Sequence, residues 1–114
     1  MVRSDRKVTS YIMETIETLM PDCAVDRLLR QVMSKWTAHI LWILLKHGEQ
    51  RFGYLRKQLV YVSPKVLTAR LRMLEAEGFV HREMEHQIPP KVSYRLTGRG
   101  REIAEIIDLL ARTA

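Results

Sequence analysis

Residues 62–80 read VSPKVLTARLRMLEAEGFV, and this stretch decides the fold. Ser63 is a preferred N-cap residue, and Pro64 has the fixed φ angle that suits the first turn of a helix. Gly78 stands at the position of a left-handed C-cap. One side of the intervening segment is apolar at helical spacing, with Leu67, Leu71 and Leu74. The stretch therefore predicts an amphipathic helix over 63–77 whose leucines face a core.

The opposite side of this helix is basic rather than mixed in charge. The two glutamates of the segment, Glu75 and Glu77, come only at its C-terminal end. Arginine can fork onto guanine, and a methyl group can contact thymine, so the earlier turns suit the major groove of DNA. Arg72 is the candidate for guanine. The alternative is an ordinary solvent-exposed helix surface. The DNA-binding residues predicted on this helix are Ser63, Lys65, Val66, Thr68, Ala69, Arg70 and Arg72.

The segments on either side of this helix predict a winged helix-turn-helix. Upstream, QRFGYLRKQLV at 50–60 predicts a short extended segment and then a helix, which places a helix-turn-helix at 52–77. Downstream, FVHREMEHQIPPKVSYRLT alternates in polarity on both sides of a proline pair, which predicts a β-hairpin wing over 79–96. We expect a mainly α, α+β fold with a three-helix core, a hairpin wing and terminal helices.

The hairpin carries the second set of predicted DNA contacts. Side chains in or beside its loop are expected to reach a minor groove or flanking phosphates: Arg82, His86, Gln87 and Lys91. Lys91 is the best candidate among them, because the two prolines stiffen the loop just before it. Arg51 is a further candidate for phosphate contact, with the alternative that it pairs with a nearby acid.

Two more helices are predicted before the helix-turn-helix. Ser34 is expected to begin one with the sequence KWTAHILWILLKH, and Gly48 to end it. This helix is apolar on nearly every side, which is typical of a buried helix at the centre of a core. A shorter helix at 24–33 precedes it, with Asp22 as the expected cap.

Both ends of the chain carry an apolar stripe at helical spacing that lacks a partner in the core. The N-terminal stripe, within 1–20, consists of Val8, Ile12, Ile16 and Leu19. The C-terminal stripe, within 97–114, consists of Ile103, Ile106, Ile107 and Leu110. We therefore expect both terminal segments to be helices that bury these stripes elsewhere.

The positive charge of the chain is concentrated in one half. The 114 residues carry a net charge of +6, a size typical of one domain. Residues 51–101 hold eleven Lys and Arg against four Asp and Glu, whereas the remainder holds eight against nine. This concentration of positive charge indicates that the partner is a polyanion. The alternative is a basic surface that only keeps the protein soluble.

The sequence contains none of the residue sets that catalysis or metal binding requires. We find no Ser/His/Asp set, paired carboxylates, glycine-rich phosphate loop or metal-ligand spacing. No apolar run reaches the roughly 18 residues that cross a bilayer, and the N-terminus has no signal-peptide pattern. We expect a cytoplasmic protein that is not an enzyme and uses no cofactor, metal or membrane. The single cysteine fits a reducing compartment.

A series of motifs gives the chain a family resemblance. They are Cys23-x-Val25, Lys35-Trp36-Thr37, Ile40-Leu41, Arg51-Phe52-x-x-Leu55, SPKVLTARLRMLEAEG, PPKVSYRLT and Gly100-Arg101. In these motifs the chain resembles the HxlR family of bacterial transcription regulators, a winged-helix group related to MarR-type proteins. The resemblance implies a cytoplasmic homodimer on a palindromic or pseudo-palindromic operator of double-stranded DNA. It also implies that the terminal helices build the dimer interface. The chain departs from the family pattern at Ala24, where proline is usual, and at Met33-Ser34, where glycines are common.

Cys23 has two main interpretations. The resemblance implies an oxidant or electrophile sensor, which switches through a disulfide between subunits or through thiol modification. The alternative is a small buried residue, because free cysteine is among the most buried residue types. The neighbouring Asp22 and Asp26 disfavour a reactive thiolate. Metal sensing by Cys23 with a histidine is a third interpretation, for which no ligand spacing is present.

The leading hypothesis is a sequence-specific DNA-binding regulator that represses by occluding its operator, with activation as the less frequent alternative. The alternative is a winged helix that binds another protein, in which case Lys65, Thr68 and Arg72 would be dispensable. A third class, a small-molecule-binding enzyme, would require turnover that depends on Cys23 or a histidine. A small effector pocket between the core and the terminal helices is compatible with the leading hypothesis.

Overall fold

Five α-helices and three short β-strands lie between residues 24 and 114, the part of the chain that this computed structural model describes. The helices are α1 (Ala24–Val32), α2 (Thr37–His47), α3 (Phe52–Gln58), α4 (Pro64–Ala76) and α5 (Gly98–Ala111). The strands are β1 (Gln50–Arg51), β2 (Val80–Glu85) and β3 (Lys91–Leu96). The described residues divide between two compact units, with the boundary between Ser34 and Lys35.

The helix predicted to begin at Ser34 begins three residues later. Ser34 does not cap it, and its hydroxyl instead donates to the carbonyl of Gln31, 2.8 Å away, at the end of α1. Trp36 occupies the N-cap position of α2 with a left-handed φ of 73°. Its ring lies 5.0 Å from that of His39, in a tilted arrangement that holds the indole against the first turn. The Ser34 prediction was therefore wrong, because a left-handed residue interrupts the chain before the helix can start.

The buried centre of the second unit is α2. Ile40, Leu41 and Leu44 are fully buried, as the apolar character of the segment predicts. Gly48 ends the helix with φ 76°, and its N–H donates to the carbonyl of Leu44 at 2.9 Å. A glycine suits this position because a side chain would be strained at positive φ.

The three strands form one antiparallel sheet in the order β1-β3-β2. The central strand, β3, pairs Tyr94 with Gln50 on one side and with Arg82 on the other. The hairpin of β2 and β3 runs in regular register to Glu85 and Lys91, and its outer half is exposed. The sheet therefore consists of a short buried base and a wing that projects into solvent.

The helix-turn-helix, α3 and α4, has the predicted caps. The Ser63 hydroxyl accepts a hydrogen bond from the N–H of Val66 at 3.1 Å, and Pro64 occupies the first turn of α4. At the other end Gly78 has φ 81°, and the N–H of Phe79 donates to the carbonyl of Leu74 at 2.9 Å. Both ends of α4 are thus fixed by local residues.

The end of α4 and the start of α5 meet in one hydrogen-bonded junction. The Thr97 hydroxyl accepts from the N–H of Gly100 at 3.0 Å and donates to the carbonyl of Gly78 at 2.6 Å. The Thr97 N–H donates to the carbonyl of Phe79 at 3.1 Å. A Cβ on Gly100 would overlap that carbonyl group, lying 2.8 Å from its carbon. The two backbones approach this closely only because residue 100 has no side chain.

The C-terminal helix α5 packs against α2, and the fully buried residues of α5 are small or polar. The buried residues of α5 are Gly100, Ala104 and Asp108. Ile106, Leu109 and Leu110 are exposed, and Ile103 and Ile107 are half-buried. Within residues 24–114 no helix is long and apolar enough to cross a bilayer.

Candidate nucleic-acid interface

The exposed face of α4 is formed by the residues that the sequence predicts. Leu67, Leu71 and Leu74 are buried, so the helix can rotate in neither direction without exposing them. This orientation leaves Lys65, Ala69 and Arg72 exposed and Thr68 half-buried. Neither cation has an ion-pair partner among residues 24–114. The face therefore offers two free positive charges, a methyl group and a hydroxyl.

Two predicted residues lie at the edge of α4 and not on this face. Val66 is half-buried, and its N–H is used by the Ser63 cap. Arg70 is half-buried as well, and its Nε donates to the backbone carbonyl of Lys35 at 2.8 Å. The guanidinium of Arg70 thus ties α4 to the turn that precedes α2. Sequence spacing alone could not reveal this contact, because the two residues lie far apart in the chain.

The two faces of the hairpin differ in charge. On one face Glu83 pairs with His81 at 3.3 Å and with Arg95 at 3.9 Å. The predicted Lys91 lies directly opposite Glu85 across the strands. The side chain of Arg82 lies on the other face, beside Tyr94, and has no ion pair with any residue from 24 to 114.

A cleft of about 410 Å³ lies between α4 and that face of the hairpin. We call it the arginine cleft. Its lining consists of Thr68, Arg72 and Glu75 from α4, Arg82 from β2 and Tyr94 from β3. The cleft brings together one arginine from the predicted recognition helix and one from the predicted wing. Arg82 was predicted as a residue in or beside the loop, and the structure places it on a strand that faces the helix.

The remaining predicted contacts lie further out. His86 and Gln87 are exposed in the hairpin loop, where the Gln87 amide donates to the Glu85 carboxylate at 2.6 Å. Arg51 ends β1 and, with Lys91, lines a second cleft of about 220 Å³ that also contains Glu49 and Glu85. The two acids reduce the positive potential around Arg51 and Lys91.

Sequence reasoning missed two exposed residues beside the helix-turn-helix and the wing. Tyr61, in the turn before α4, is 89% exposed, and Ile88, next to the proline pair of the hairpin loop, is fully exposed. A hydroxyl or methyl group at such a tip can contact a duplex. The signal in the sequence is weak, since single exposed apolar residues are common on protein surfaces.

Some predictions lie outside the described residues. These are the candidate sensor Cys23, the helix cap Asp22, and the N-terminal stripe Val8, Ile12, Ile16 and Leu19. Among residues 24–114 there is no cluster of three or more His, Cys, Asp or Glu side chains placed to hold a metal ion.

The comparison with protein families decides the identity of the chain. A family model described as HxlR-like helix-turn-helix matches residues 31–114, which include all of the helix-turn-helix and the hairpin. The chain belongs to the HxlR-like helix-turn-helix family.

Relatives in the HxlR-like family are regulators of transcription. The chain is 41% identical over 85 residues to YybR, an HTH-type transcriptional regulator from Bacillus subtilis, a match that covers 75% of this chain and 67% of YybR. It is 37% identical to the redox regulator HypR in its oxidised form, with a TM-score of 0.72 over 79% of this chain and 92% of that one. The reduced form of HypR matches at 36% identity and a TM-score of 0.73, over 79% of this chain and 88% of that one.

These likenesses confirm the predicted family and the α+β winged-helix fold. They also confirm that the chain is a helix-turn-helix transcriptional regulator and not an enzyme. The matched segment spans about two thirds of the length of YybR.

Proposed function

We propose that this HxlR-family protein is a homodimer that binds a specific operator in double-stranded DNA and represses transcription by occupying it. The observation that carries the proposal is the exposed face of α4. Its two free cations, Lys65 and Arg72, lie on the side that the buried leucines turn outward. A helix of this kind can enter the major groove, where cations meet phosphates and side chains meet base edges.

The hairpin supports the same function from a second element. Its loop is exposed and extends beyond the sheet, so His86, Gln87 and Ile88 can approach a groove next to the one that α4 occupies. The acids of the hairpin, Glu83 and Glu85, are engaged with His81, Arg95 and Gln87. The Arg95 guanidinium beside Glu83 reduces the repulsion that a phosphate backbone would otherwise meet from that carboxylate.

Dimerisation is supported by the outer surface of α5. Ile106, Leu109 and Leu110 are each more than half exposed. Together they form an apolar patch on one helix, whereas single exposed apolar residues would need no explanation. A second copy that covers this patch would place two recognition helices on one duplex, which is how dimeric helix-turn-helix proteins read two half-sites.

The experiment is fluorescence anisotropy with DNA from upstream of the gene, compared with a scrambled duplex at several salt concentrations. We expect affinity at least ~10³-fold higher for the native fragment and a steep fall with salt, because phosphate contacts release counterions. Lys65→Gln is expected to weaken binding, and Arg56→Gln, on the exposed side of α3, serves as the matched control for loss of one charge. Equal binding of the native and scrambled duplexes to wild type, with no effect of Lys65→Gln, would favour a winged helix that binds another protein.

A redox input is supported by one observation, the 36–37% identity to a regulator that has been solved in oxidised and reduced forms. We propose that Cys23 is the residue that responds. The same anisotropy titration, repeated after treatment with diamide, is expected to show a change in DNA affinity for wild type and none for Cys23→Ser. If both proteins respond alike, Cys23 is not the sensor.

A further inference from the structure

The hydroxyl of Tyr94 has no hydrogen-bond partner among residues 24–114, although the residue is only 9% exposed. The hydroxyl oxygen itself reaches solvent, because Asp26 Oδ1 is the buried side-chain atom without a partner among the described residues. Tyr94 lies on the central strand β3, and its side chain lines the arginine cleft. The free hydroxyl is therefore available to a ligand in that cleft.

The other donors of the arginine cleft come from opposite walls. Arg72 belongs to α4 and Arg82 to β2, and neither guanidinium is paired with any residue that the structure describes. Thr68 adds a second hydroxyl from α4. The carboxylate in the lining is Glu75, which has no ion pair with residues 24–114 either. Two guanidinium groups thus outnumber one carboxylate, so the cleft attracts an anion.

We propose that the arginine cleft binds one phosphate group between Arg72 and Arg82, with the Tyr94 hydroxyl as an additional donor. Guanidinium groups bind phosphate through paired N–H donors, and charge-assisted bonds of this kind are stronger than neutral ones. A phosphate is favoured over a carboxylate because its oxygens can accept from donors on several sides at once. The phosphate belongs to the backbone of a duplex or to a free anion that competes with it, and the first case rests on the proposed function.

The inference changes the role of Arg72. If Arg72 binds a phosphate of the DNA backbone together with Arg82, it fixes the depth and direction of α4 in the groove. It then does not contact a base. Lys65 and Ala69, which do not line the cleft, are then left to face the bases. Arg72 becomes a positioning residue whose loss weakens binding to native and scrambled duplexes alike.

Two variants test the cleft on DNA, each measured on native and scrambled duplexes. Arg82→Gln is expected to lose about tenfold in affinity and to reduce the salt slope by about one. Tyr94→Phe keeps the buried ring but removes the hydroxyl, and its DNA affinity is expected to fall by up to about tenfold. Arg101→Gln, an exposed arginine of α5 without an ion pair in the described part of the chain, is the control for an equal change in charge. If Arg82→Gln and Tyr94→Phe both bind like Arg101→Gln, the inference is overturned.

The double variant Arg72→Gln/Arg82→Gln tests whether the two arginines share one phosphate. If they do, the fold loss of DNA affinity in the double variant is smaller than the product of the losses in the two single variants. The reason is that the second arginine is removed from a site that no longer binds its phosphate fully. Independent phosphates would give the full product and would overturn the shared site. Glu75→Gln is expected to change the DNA affinity in the opposite direction. Removal of the carboxylate relieves repulsion of the anion and should raise the affinity about threefold. An unchanged or lowered affinity for Glu75→Gln counts against an anion in the cleft.

The source of the phosphate is tested with inorganic pyrophosphate, followed through the Nε–H signals of arginine in NMR spectra. Shifts confined to Arg72 and Arg82, together with displacement of DNA, support a free anion as the ligand. No shifts, together with the losses on DNA described above, support the duplex backbone. No shifts and no losses overturn the inference. The proposed function fails separately, if wild type does not distinguish the native from the scrambled duplex, and the pyrophosphate titration still reports on the cleft in that case.

Discussion

Gly100 shows how one residue can fix the relation between two helices. It lies in the first turn of α5, where a Cβ would overlap the carbonyl group of Phe79, the residue before β2. Gly100→Ala is expected to destabilise the protein by about 3 kcal/mol, because the new Cβ meets backbone atoms that cannot move away without shifting a helix. Urea unfolding followed by circular dichroism measures the change.

Gly53 provides the matched control for this substitution. It lies in the first turn of α3, and a Cβ there would meet no atom within 4 Å. Gly53→Ala is expected to be neutral or to stabilise by up to about 1 kcal/mol, because alanine has the higher helix propensity. If both variants lose the same free energy of unfolding, the contact with Phe79 is not the cause of the destabilisation by Gly100→Ala.

Residues whose role is local were predicted well. Ser63, Gly78 and Thr97 cap helices as expected, because each cap depends on its own φ angle or on a hydroxyl within three residues. Ser34 was predicted by the same rule and does not cap α2. The difference is Trp36, whose left-handed backbone has no signal in the sequence. Its conformation is supported by contacts to its neighbours, including the Lys35 ammonium 5.5 Å from the indole centroid.

At the scale of elements, α2 and α5 are joined by a polar cluster around Asp108. Its carboxylate accepts from the Lys46 ammonium at 2.9 Å, from the Trp42 indole N–H at 3.0 Å and from the Arg112 guanidinium at 3.0 Å. The hydrogen bonds from Lys46 and Trp42, with the charges of Lys46 and Arg112, lower the pKa of Asp108 despite the opposing effect of its burial.

This lowered pKa gives the helix pair a predictable pH dependence. A carboxyl with a folded pKa below its unfolded value of about 3.9 stabilises the fold above that pH, and the stabilisation is lost as the pH falls through the folded pKa. Asp108→Asn is therefore expected to be less stable than wild type at pH 7, and the difference is expected to shrink below about pH 4. Urea unfolding at several pH values, followed by tryptophan fluorescence, measures it. A difference that stays constant down to pH 3 would contradict the role of the charge.

The hairpin shows what an alternating pattern can and cannot predict. The alternation of apolar and polar residues over 79–96 predicted both strands and the turn between them. It could not predict which face would meet α4, because that depends on how the sheet packs against the helix. Arg82 consequently emerged as part of a cleft with Arg72, and Lys91 as a neighbour of Glu85.

At the scale of the whole molecule, the apolar patch of α5 predicts how two chains meet. Leu110 is 67% exposed and lies near Ile106 on the same side of the helix. Leu110→Lys is expected to convert the proposed dimer to a monomer, because it places a charge in the proposed interface, which burial of apolar surface would stabilise. Sedimentation equilibrium measures the mass in solution.

Val60→Lys is the control for this variant, since Val60 is an equally exposed apolar residue that lies outside α5, in the turn after α3. It is expected to remain a dimer while changing the net charge in the same direction. A wild type that sediments as a monomer at all concentrations would contradict the proposed dimer. Retention of the dimer by Leu110→Lys would place the interface elsewhere.

The sequence by itself determined the order of the elements, the caps and the apolar faces, because these depend on propensities and spacings within a few residues. It also determined the family, through motifs spread along the chain. Only the tertiary structure decided the contacts between residues that are far apart in the sequence. These are Arg70 with the Lys35 carbonyl, Asp108 with Lys46, and Gly100 with Phe79. It decided the arginine cleft for the same reason, since a site shared by a helix and a strand exists only after the two have packed together.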